Sequence, residues 1–264
     1  MQQARDFLVE SEDVDRLISG LSGERLQLTT DFKSWTIVDV IAHLHMWNEA
    51  ALLSLIDPEA FQAFFAPIGE HLMKGGDLKS FERARYAELS APALVQQWRE
   101  TYHRTADAFA VADPSARVEW VGPSMSARSS ITARQMETWA HAQAIYDVLG
   151  QDRIDSDRIQ NIVVLGVNTF GWTFKNRRLD VPEAMPHLVL TAPSGDIWTY
   201  GEPSESNVIS GDAVEFAQVV TQTRNVVDTS LLVQGDVATL WMNNAQCFAG
   251  GPNPVPAPGS RKKH

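Results

Sequence analysis

Apolar residues change their spacing once along the chain, near Arg177, and this change constrains the fold more than any other feature. Before it, apolar residues recur at the intervals of one face of a helix, whereas after it segments such as His187–Thr191 alternate like half-buried strands. The sequence therefore predicts an α+β protein with a helical bundle over 1–178 and a small α+β domain over 179–250. A Pro- and Gly-rich stretch predicts a disordered tail over 251–264.

Start and stop signals place the individual helices and strands. Thr36, followed by Asp39, resembles a capping box that starts a helix, and Ser90 starts another. Gly150 ends the helix over 130–149. In the second part we expect a hairpin over His187–Tyr200 and a helix that starts at Ser210. We expect a third strand at Thr229–Val233.

Net charge and cysteine content exclude several classes of protein. The formal net charge of −11 opposes a nucleic-acid partner, because phosphate contacts need clustered Lys and Arg. The single cysteine, Cys247, rules out an intrachain disulfide framework and a Cys-rich zinc motif. Neither a signal peptide nor an apolar run of roughly 20 residues is visible. We therefore expect a cytoplasmic monomer or homodimer with no membrane partner.

Glu137 and His141 are ionisable residues on an otherwise apolar helix face. They are four positions apart, so they lie one turn from each other on the same side. Their arc of roughly 100° also carries a set of small and apolar residues, Ala133, Ala140, Ala144 and Val148. Because a buried carboxylate needs a partner, the two residues are either two ligands of a metal ion or a hydrogen-bonded Glu–His pair. This helix alone does not decide between the two interpretations.

A third metal ligand would have to come from another helix. The helix that starts after Thr36 offers His43 and His45, which flank its apolar stripe on opposite sides. Periodicity does not choose between these two histidines, and both could be ordinary half-exposed residues.

Two motifs carry a resemblance to a known family. Segment Trp35–Leu44 resembles the first motif of the DinB-like superfamily, W-T-x-x-x-V-x-x-H-L, and is closest to the branch of mycothiol-dependent maleylpyruvate isomerases. Segment Arg134–His141 resembles the second motif of that branch. Downstream, Ile209–Phe216 and Val220–Arg224 look like the C-terminal domain of those isomerases, although Gln222 and Thr223 alter the tight turn before the arginine.

The resemblance implies a fold and a set of ligands. It implies a DinB-like four-helix bundle followed by a small α/β domain of sterol-carrier-like form. The three metal ligands of the family would fall on His43, Glu137 and His141, which favours His43 over His45. Zn²⁺ suits two His and one Glu, and Ni²⁺, Fe²⁺ or Mn²⁺ bind similar sets of ligands.

The resemblance also implies an activity. In the resembling enzymes the metal activates a low-molecular-weight thiol, so we expect a thiol S-transferase or a thiol-assisted isomerase. Its partners would be that thiol, such as mycothiol or glutathione, and a small electrophile. One alternative is a hydrolase, hydratase or lyase that uses metal-bound water. Another is a non-catalytic metal-binding module, for which a closed site with four ligands would be typical.

Further residues are candidates for contacts with an anionic substrate or a thiol. Arg224 of the C-terminal domain is the candidate catalytic cation. Ser124, Ser126 and Arg128 precede the helix that carries Glu137, so they could bind the thiol at the N-terminus of that helix, where anions are favoured.

Overall fold

The chain folds into two compact units. The computed structural model describes residues 1–261, and its contacts separate Met1–Val148 from Leu149–His264. The sequence pattern instead changes near Arg177, because residues between the two points are still helical. These helices pack against helices of the second unit, so the contacts group them there. The boundary expected at residue 178 stays a prediction about folding domains.

The first unit is built from helices and one short two-stranded ribbon. Its helices are α1 (Gln2–Ile18), α2 (Ile37–Ile56), α3 (Pro58–Met73), α4 (Leu78–Arg85), α5 (Ala91–Val111) and α6 (Ala127–Leu149), and its strands are β1 (Arg117–Val118) and β2 (Met125–Ser126). Helix α2 packs against α3, α4 and α5, and α5 packs against α1. Helix α2 is buried over nearly its whole length, so any ionisable residue on it lies in or beside the core.

The capping box predicted at the start of α2 is confirmed. The Thr36 side chain accepts a hydrogen bond from the Asp39 backbone amide, and the Asp39 side chain accepts one from the Thr36 amide. Ser90 caps α5 as predicted, with Pro92 in its first turn. Both caps satisfy backbone donors that the helix itself leaves without partners.

Within residues 149–261, the second unit combines four α-helices with a four-stranded sheet, which confirms the α+β class. Its elements are α7 (Gln160–Asn168), α8 (Phe170–Asn176), β3 (His187–Thr191), β4 (Ile197–Tyr200), β5 (Val208–Asp212), α9 (Ala213–Val220), β6 (Leu232–Gln234) and α10 (Asp236–Met242). The strand order is β4-β3-β5-β6, with β3 and β5 parallel and the other pairs antiparallel. The predicted hairpin is present as β3 and β4.

One sequence-based boundary in this unit was wrong. We expected Ser210 to start a helix, but Ser210, Gly211 and Asp212 belong to β5, and α9 begins at Ala213. Gly211 has a φ of 139°, which L-residues rarely adopt, and the Asp212 side chain caps the helix through the Val214 amide. The short polar sequence therefore serves as the end of a strand and the cap of a helix at once.

Part of the segment that we predicted as a disordered tail makes hydrogen bonds with the second unit. Asn253 and Pro256 exchange hydrogen bonds with residues of this unit, including Gln222 and Asn225. The last residues of that prediction, 262–264, lie outside the described part of the chain. Within residues 1–261, the structure contains no helix that is both long and apolar enough to cross a membrane.

Candidate metal centre

Three predicted ligands meet between α2 and α6. Ligand atoms of His43, Glu137 and His141 all lie within 4.8 Å of one another. Oε2 of Glu137 is 3.1 Å from Nε2 of His141 and 3.9 Å from Nε2 of His43. These distances bracket the roughly 3.4 Å that separates two donors on one tetrahedral zinc ion with bonds of about 2.0–2.1 Å. Two imidazoles and one carboxylate are also a donor set that suits a divalent metal, so the residues fit such an ion.

A second carboxylate lies behind His43 and was not predicted. Nδ1 of His43 donates a hydrogen bond of 2.8 Å to Oε1 of Glu82, and the Glu82 side chain is only 2% exposed. Glu82 lies on α4, a helix of eight residues that Asp77 caps. A carboxylate that accepts from the outer nitrogen of a histidine fixes its tautomer, and metal-binding histidines commonly have such a partner. In this arrangement Nε2 of His43 faces Glu137 and His141.

Aromatic rings pack around the two histidines. The Trp35 ring is stacked on His141, with centroids 5.8 Å apart and planes 2° from parallel, and it meets His43 edge-on at 5.2 Å. Phe32 meets His141 edge-on, with ring centroids 5.0 Å apart, and the Trp47 ring centroid lies 6.2 Å from that of His43. The rings restrict the orientation of both imidazoles and exclude water from much of their surface. Glu137 keeps a quarter of its side chain exposed, so solvent reaches the centre on that side.

Burial and neighbouring charges raise the pKa of His43 and lower the pKa values of His141 and Glu137. Burial opposes the charged form of His43, but the carboxylates of Glu82 and Glu137 outweigh it and raise its pKa to about 9. Burial lowers the pKa of His141 to about 4, although Glu137 accepts a hydrogen bond from it. Burial also opposes ionisation of Glu137, yet the hydrogen bond from His141 and the nearby His43 and Arg134 hold its pKa well below the usual range. At neutral pH the metal-free centre therefore has a positively charged His43, a neutral His141 and an ionised Glu137.

A buried arginine lies one turn from Glu137. Arg134 is 3% exposed, and its Nε donates to Oδ1 of Asn48 on α2 at 3.0 Å. Burial lowers the pKa of Arg134 to about 10, so the guanidinium is still charged at neutral pH. Among the described residues, neither Nη2 of Arg134 nor Nδ2 of Asn48 has a hydrogen-bond acceptor. The pairing of Arg134 with Asn48 was not predicted from the sequence.

The structure separates His45 from the cluster. Its ring lies beside Tyr86, with centroids 5.2 Å apart, and burial lowers its pKa to about 4. It is not among the residues whose ligand atoms come together within the described chain. His43 is therefore the histidine of α2 that meets Glu137 and His141.

The other predicted site residues lie elsewhere. Ser126 accepts a hydrogen bond from the Ser129 amide and thus caps α6, while Ser124 accepts one from Arg117, and Arg128 is exposed. Glu137 lies eleven residues beyond Ser126, about 16 Å along the helix axis. The role of these residues in binding the thiol stays a prediction.

Arg224 belongs to the second unit, where it follows α9. It is half-buried, and its Nη1 donates to the Thr223 carbonyl oxygen at 2.9 Å. It lines a small pocket together with residues that include Met242 and Val255. Its catalytic role stays a prediction.

Comparisons with known proteins place the chain in a family. Residues 7–146, which include the whole cluster, match the profile of the mycothiol maleylpyruvate isomerase N-terminal domain. Two curated relatives, both described as uncharacterized proteins, come from two strains of Mycobacterium tuberculosis. Each is 34% identical over 248 residues, which cover 94% of this chain and 95% of the relative.

Two solved structures share the fold. They are the crystal structures of the mycothiol-dependent maleylpyruvate isomerase and of a histidine-to-alanine mutant of it, each with a TM-score of 0.52. Their sequence identities are 17% and 16%, and the match covers 83% of this chain and 87% of each of theirs. The chain thus has the α+β fold of this isomerase. It belongs to the family of the mycothiol maleylpyruvate isomerase N-terminal domain, as its two motifs predicted.

Proposed function

We propose that the chain is a metal-dependent enzyme that uses a low-molecular-weight thiol, as a thiol S-transferase or a thiol-assisted isomerase. The observation that carries this proposal is the meeting of His43, Glu137 and His141, with their ligand atoms within 4.8 Å of one another. Membership in a family named for a mycothiol-dependent isomerase supports the choice of a thiol as cosubstrate. The second substrate would be a small electrophile.

In this proposal the residues of the chain divide into ligands and supports. Nε2 of His43, Nε2 of His141 and a Glu137 oxygen hold the metal ion, for which zinc is the first candidate. Glu82 accepts from Nδ1 of His43, which keeps the proton on Nδ1 and leaves the lone pair on Nε2 for the metal. The stacked Trp35 ring holds His141 in the orientation that points Nε2 toward Glu137.

The thiol itself comes from outside the described chain. Cys247, the single cysteine, is buried in the second unit, which makes it a poor nucleophile for a soluble electrophile. A bound zinc ion would lower the pKa of a coordinating thiol far enough to deprotonate it at neutral pH. The partly exposed Glu137 side chain offers the thiol a route to the centre, while Phe32 and Trp35 cover part of the His141 ring.

Metal content of the purified protein is the first test. We expect about one divalent metal per wild-type chain, and its loss in each of the variants His43→Ala, Glu137→Ala and His141→Ala. His103→Ala is the control, because His103 is an exposed histidine on α5. A wild-type protein that takes up no metal on reconstitution would sink the proposal. Glu137 and His141 would then be the hydrogen-bonded pair that their 3.1 Å contact also allows.

His45→Ala separates an enzyme from a closed metal-binding module. Three protein ligands leave a position open for a thiol, whereas a structural zinc site is closed by four. We expect the His45→Ala protein to keep its metal, because His45 lies beside Tyr86 and outside the cluster. Loss of metal in this variant, with the fold intact by circular dichroism, would indicate a four-ligand site and a non-catalytic role.

Thiol dependence is tested with the metal-loaded protein. Mycothiol, glutathione and bacillithiol are each offered with a panel of electrophiles, and ester hydrolysis without thiol is measured in parallel. We expect turnover only when a thiol is present and only with metal. Thiol-independent hydrolysis that disappears in Glu137→Ala would instead support a metal-dependent hydrolase.

A further inference from the structure

Arg134 and Asn48 present buried donors that nothing in the described chain accepts. Nε of Arg134 donates a hydrogen bond of 3.0 Å to Oδ1 of Asn48. The oxygen of the Asn48 amide therefore faces Nε, and its Nδ2 is turned away from Nε. Nδ2 of Asn48 and Nη2 of Arg134 both remain without an acceptor among residues 1–261, and Asn48 is fully buried. Leaving a buried, charged donor without a partner is costly, so this pair needs an acceptor that the described chain does not supply.

The position of this pair ties it to the metal centre. Arg134 precedes Glu137 by three residues, which is one turn or about 4.5 Å along α6. Asn48 follows His43 on α2, so the pair forms the next layer between the same two helices. Arg134 makes no ion pair within the described part of the chain, although the charges of Glu137 and Glu82 act on it.

The chemistry of the two side chains predicts which ligand they accept. A guanidinium has only hydrogen-bond donors and a positive charge, and the donor that Asn48 leaves without an acceptor is its amide Nδ2. Two donors beside a positive charge suit an acidic group, whose oxygens accept hydrogen bonds and whose charge is opposite.

We propose that Arg134, supported by Asn48, is an anion-binding subsite beside the metal centre and binds the carboxylate or a similar acidic group of the substrate or thiol. This inference rests on the proposed function, because the subsite is defined relative to the bound metal. The guanidinium supplies the charge and the free Nη2 donor, and the Asn48 amide supplies a second donor. Specificity for an acidic group would then come from α6 rather than from the loop that precedes it.

The test compares an acidic thiol with its neutral isostere. Mercaptoacetate and mercaptoacetamide, and the longer pair mercaptopropionate and mercaptopropionamide, are titrated into Zn²⁺-loaded full-length protein by calorimetry. For the wild type we expect the acid of at least one pair to bind about 10- to 100-fold more tightly than the amide. In Arg134→Gln this preference should fall to about twofold or less, with the affinity for the amide unchanged.

Two further variants control the result. Arg104→Gln removes an exposed positive charge from α5 of the same unit, and it should keep the full preference for the acid. Asn48→Asp keeps Arg134 but places a carboxylate against it, so the built-in anion should abolish the preference. The Asn48→Asp variant also answers the question if Arg134→Gln fails to fold.

Metal analysis of each sample separates two kinds of failure. Wild-type protein that binds no metal overturns the proposed function and this inference together. Metal-loaded wild type that binds acid and amide equally in both pairs overturns the inference alone. The same conclusion follows if Arg134→Gln and Asn48→Asp both retain the preference, because Arg134 would then serve only the fold.

Discussion

Each unit buries a cluster of polar side chains, and the two clusters differ in how many of their hydrogen bonds the protein itself supplies. The cluster of the first unit is ionisable, and it surrounds His43 with the carboxylates of Glu82 and Glu137. It also leaves donors of Arg134 and Asn48 without an acceptor in the described chain. These donors are therefore available to a bound ligand.

The cluster of the second unit consists of amides that bond to each other and to the Arg177 guanidinium, which donates to Oε1 of Gln246 and to the Asn253 carbonyl oxygen. Nε2 of Gln222 donates to the carbonyl oxygens of Ala245 and Asn253, and Nδ2 of Asn253 donates back to Gln222 Oε1 at 2.6 Å. Oε1 of Gln246 accepts from the Asn253 amide at 2.9 Å. These bonds attach the chain around residue 253 to the end of α9.

The contrast separates a functional cluster from a structural one. A set of amides whose hydrogen bonds are made within the protein stabilises the fold, because these groups exchange their hydrogen bonds to water for others. A buried charged set with free donors is unfavourable for folding, and proteins keep such sets where they bind or react. We therefore expect variants of the first cluster to change metal binding and variants of the second to change stability.

The largest expected effect is the pH dependence of metal affinity in the first cluster. The pKa of His43 is raised to about 9, while those of His141 and Glu137 are lowered, so metal binding between about pH 6 and pH 8 displaces one proton, from His43. Apparent affinity should fall tenfold per unit as the pH drops, or about 100-fold across this window. Competition titrations with a chelator of known pH dependence measure the slope. A slope near zero or near two would contradict this assignment of protons.

Glu82→Gln tests whether the charge behind His43 matters. The amide can still accept a hydrogen bond from Nδ1, but it no longer raises the basicity of the imidazole. We expect the zinc affinity of the site with His43 deprotonated, taken from the pH dependence, to fall about 10- to 100-fold, with little change in the free energy of unfolding. The pH window described above should also move to lower pH, because the pKa of His43 loses its main raising influence. Glu88→Gln is the matched control, since Glu88 is exposed just beyond α4; equal losses in both variants would argue for a general charge effect.

Glu82 also marks the limit of what the sequence revealed about the site. Helix α4 is only eight residues long, and its contact with His43 joins positions 39 residues apart. No local pattern encodes such a contact, although Asp77 caps α4 and offered a signal for the helix itself. By contrast, the spacing of Glu137 and His141 put them on one face from local geometry alone, and the structure has them there.

The choice between His43 and His45 had a different origin. Both flank the apolar stripe of α2, so periodicity treats them alike, and only the resemblance to a family motif favoured His43. What distinguishes them in the structure is the neighbouring element. His43 faces α6 and Glu82, whereas His45 faces Tyr86.

The sequence also did not reveal strand β5. The short sequence around Gly211 carries the signal of a helix cap, and this signal hides the strand that precedes the helix.

Gln222→Ala applies the comparison to the second unit. It removes the partner of the Asn253 side chain and leaves the buried carbonyl oxygen of Ala245 without that donor. We expect the free energy of unfolding to fall by about 2 kcal/mol, with metal content unchanged. Urea denaturation with elemental analysis of the same samples measures both quantities. Gln151→Ala is the control, because Gln151 is exposed in the same unit. Loss of metal in Gln222→Ala would show that the amide cluster is not purely structural.

The smallest expected effect is that of Thr36→Ala, which disturbs the helix of His43 without touching a charge of the cluster. The variant removes the acceptor of the Asp39 amide, a bond of 3.2 Å, and should lower the free energy of unfolding by about 1 kcal/mol. Zinc affinity should change less than twofold, because Glu82 and the aromatic rings, rather than the helix cap, hold the His43 imidazole. Ser90→Ala, which removes a longer cap bond of 3.4 Å on α5, gives the comparison for stability. If Thr36→Ala weakened zinc binding as much as Glu82→Gln does, the start of α2 and not the buried charges would determine the metal centre.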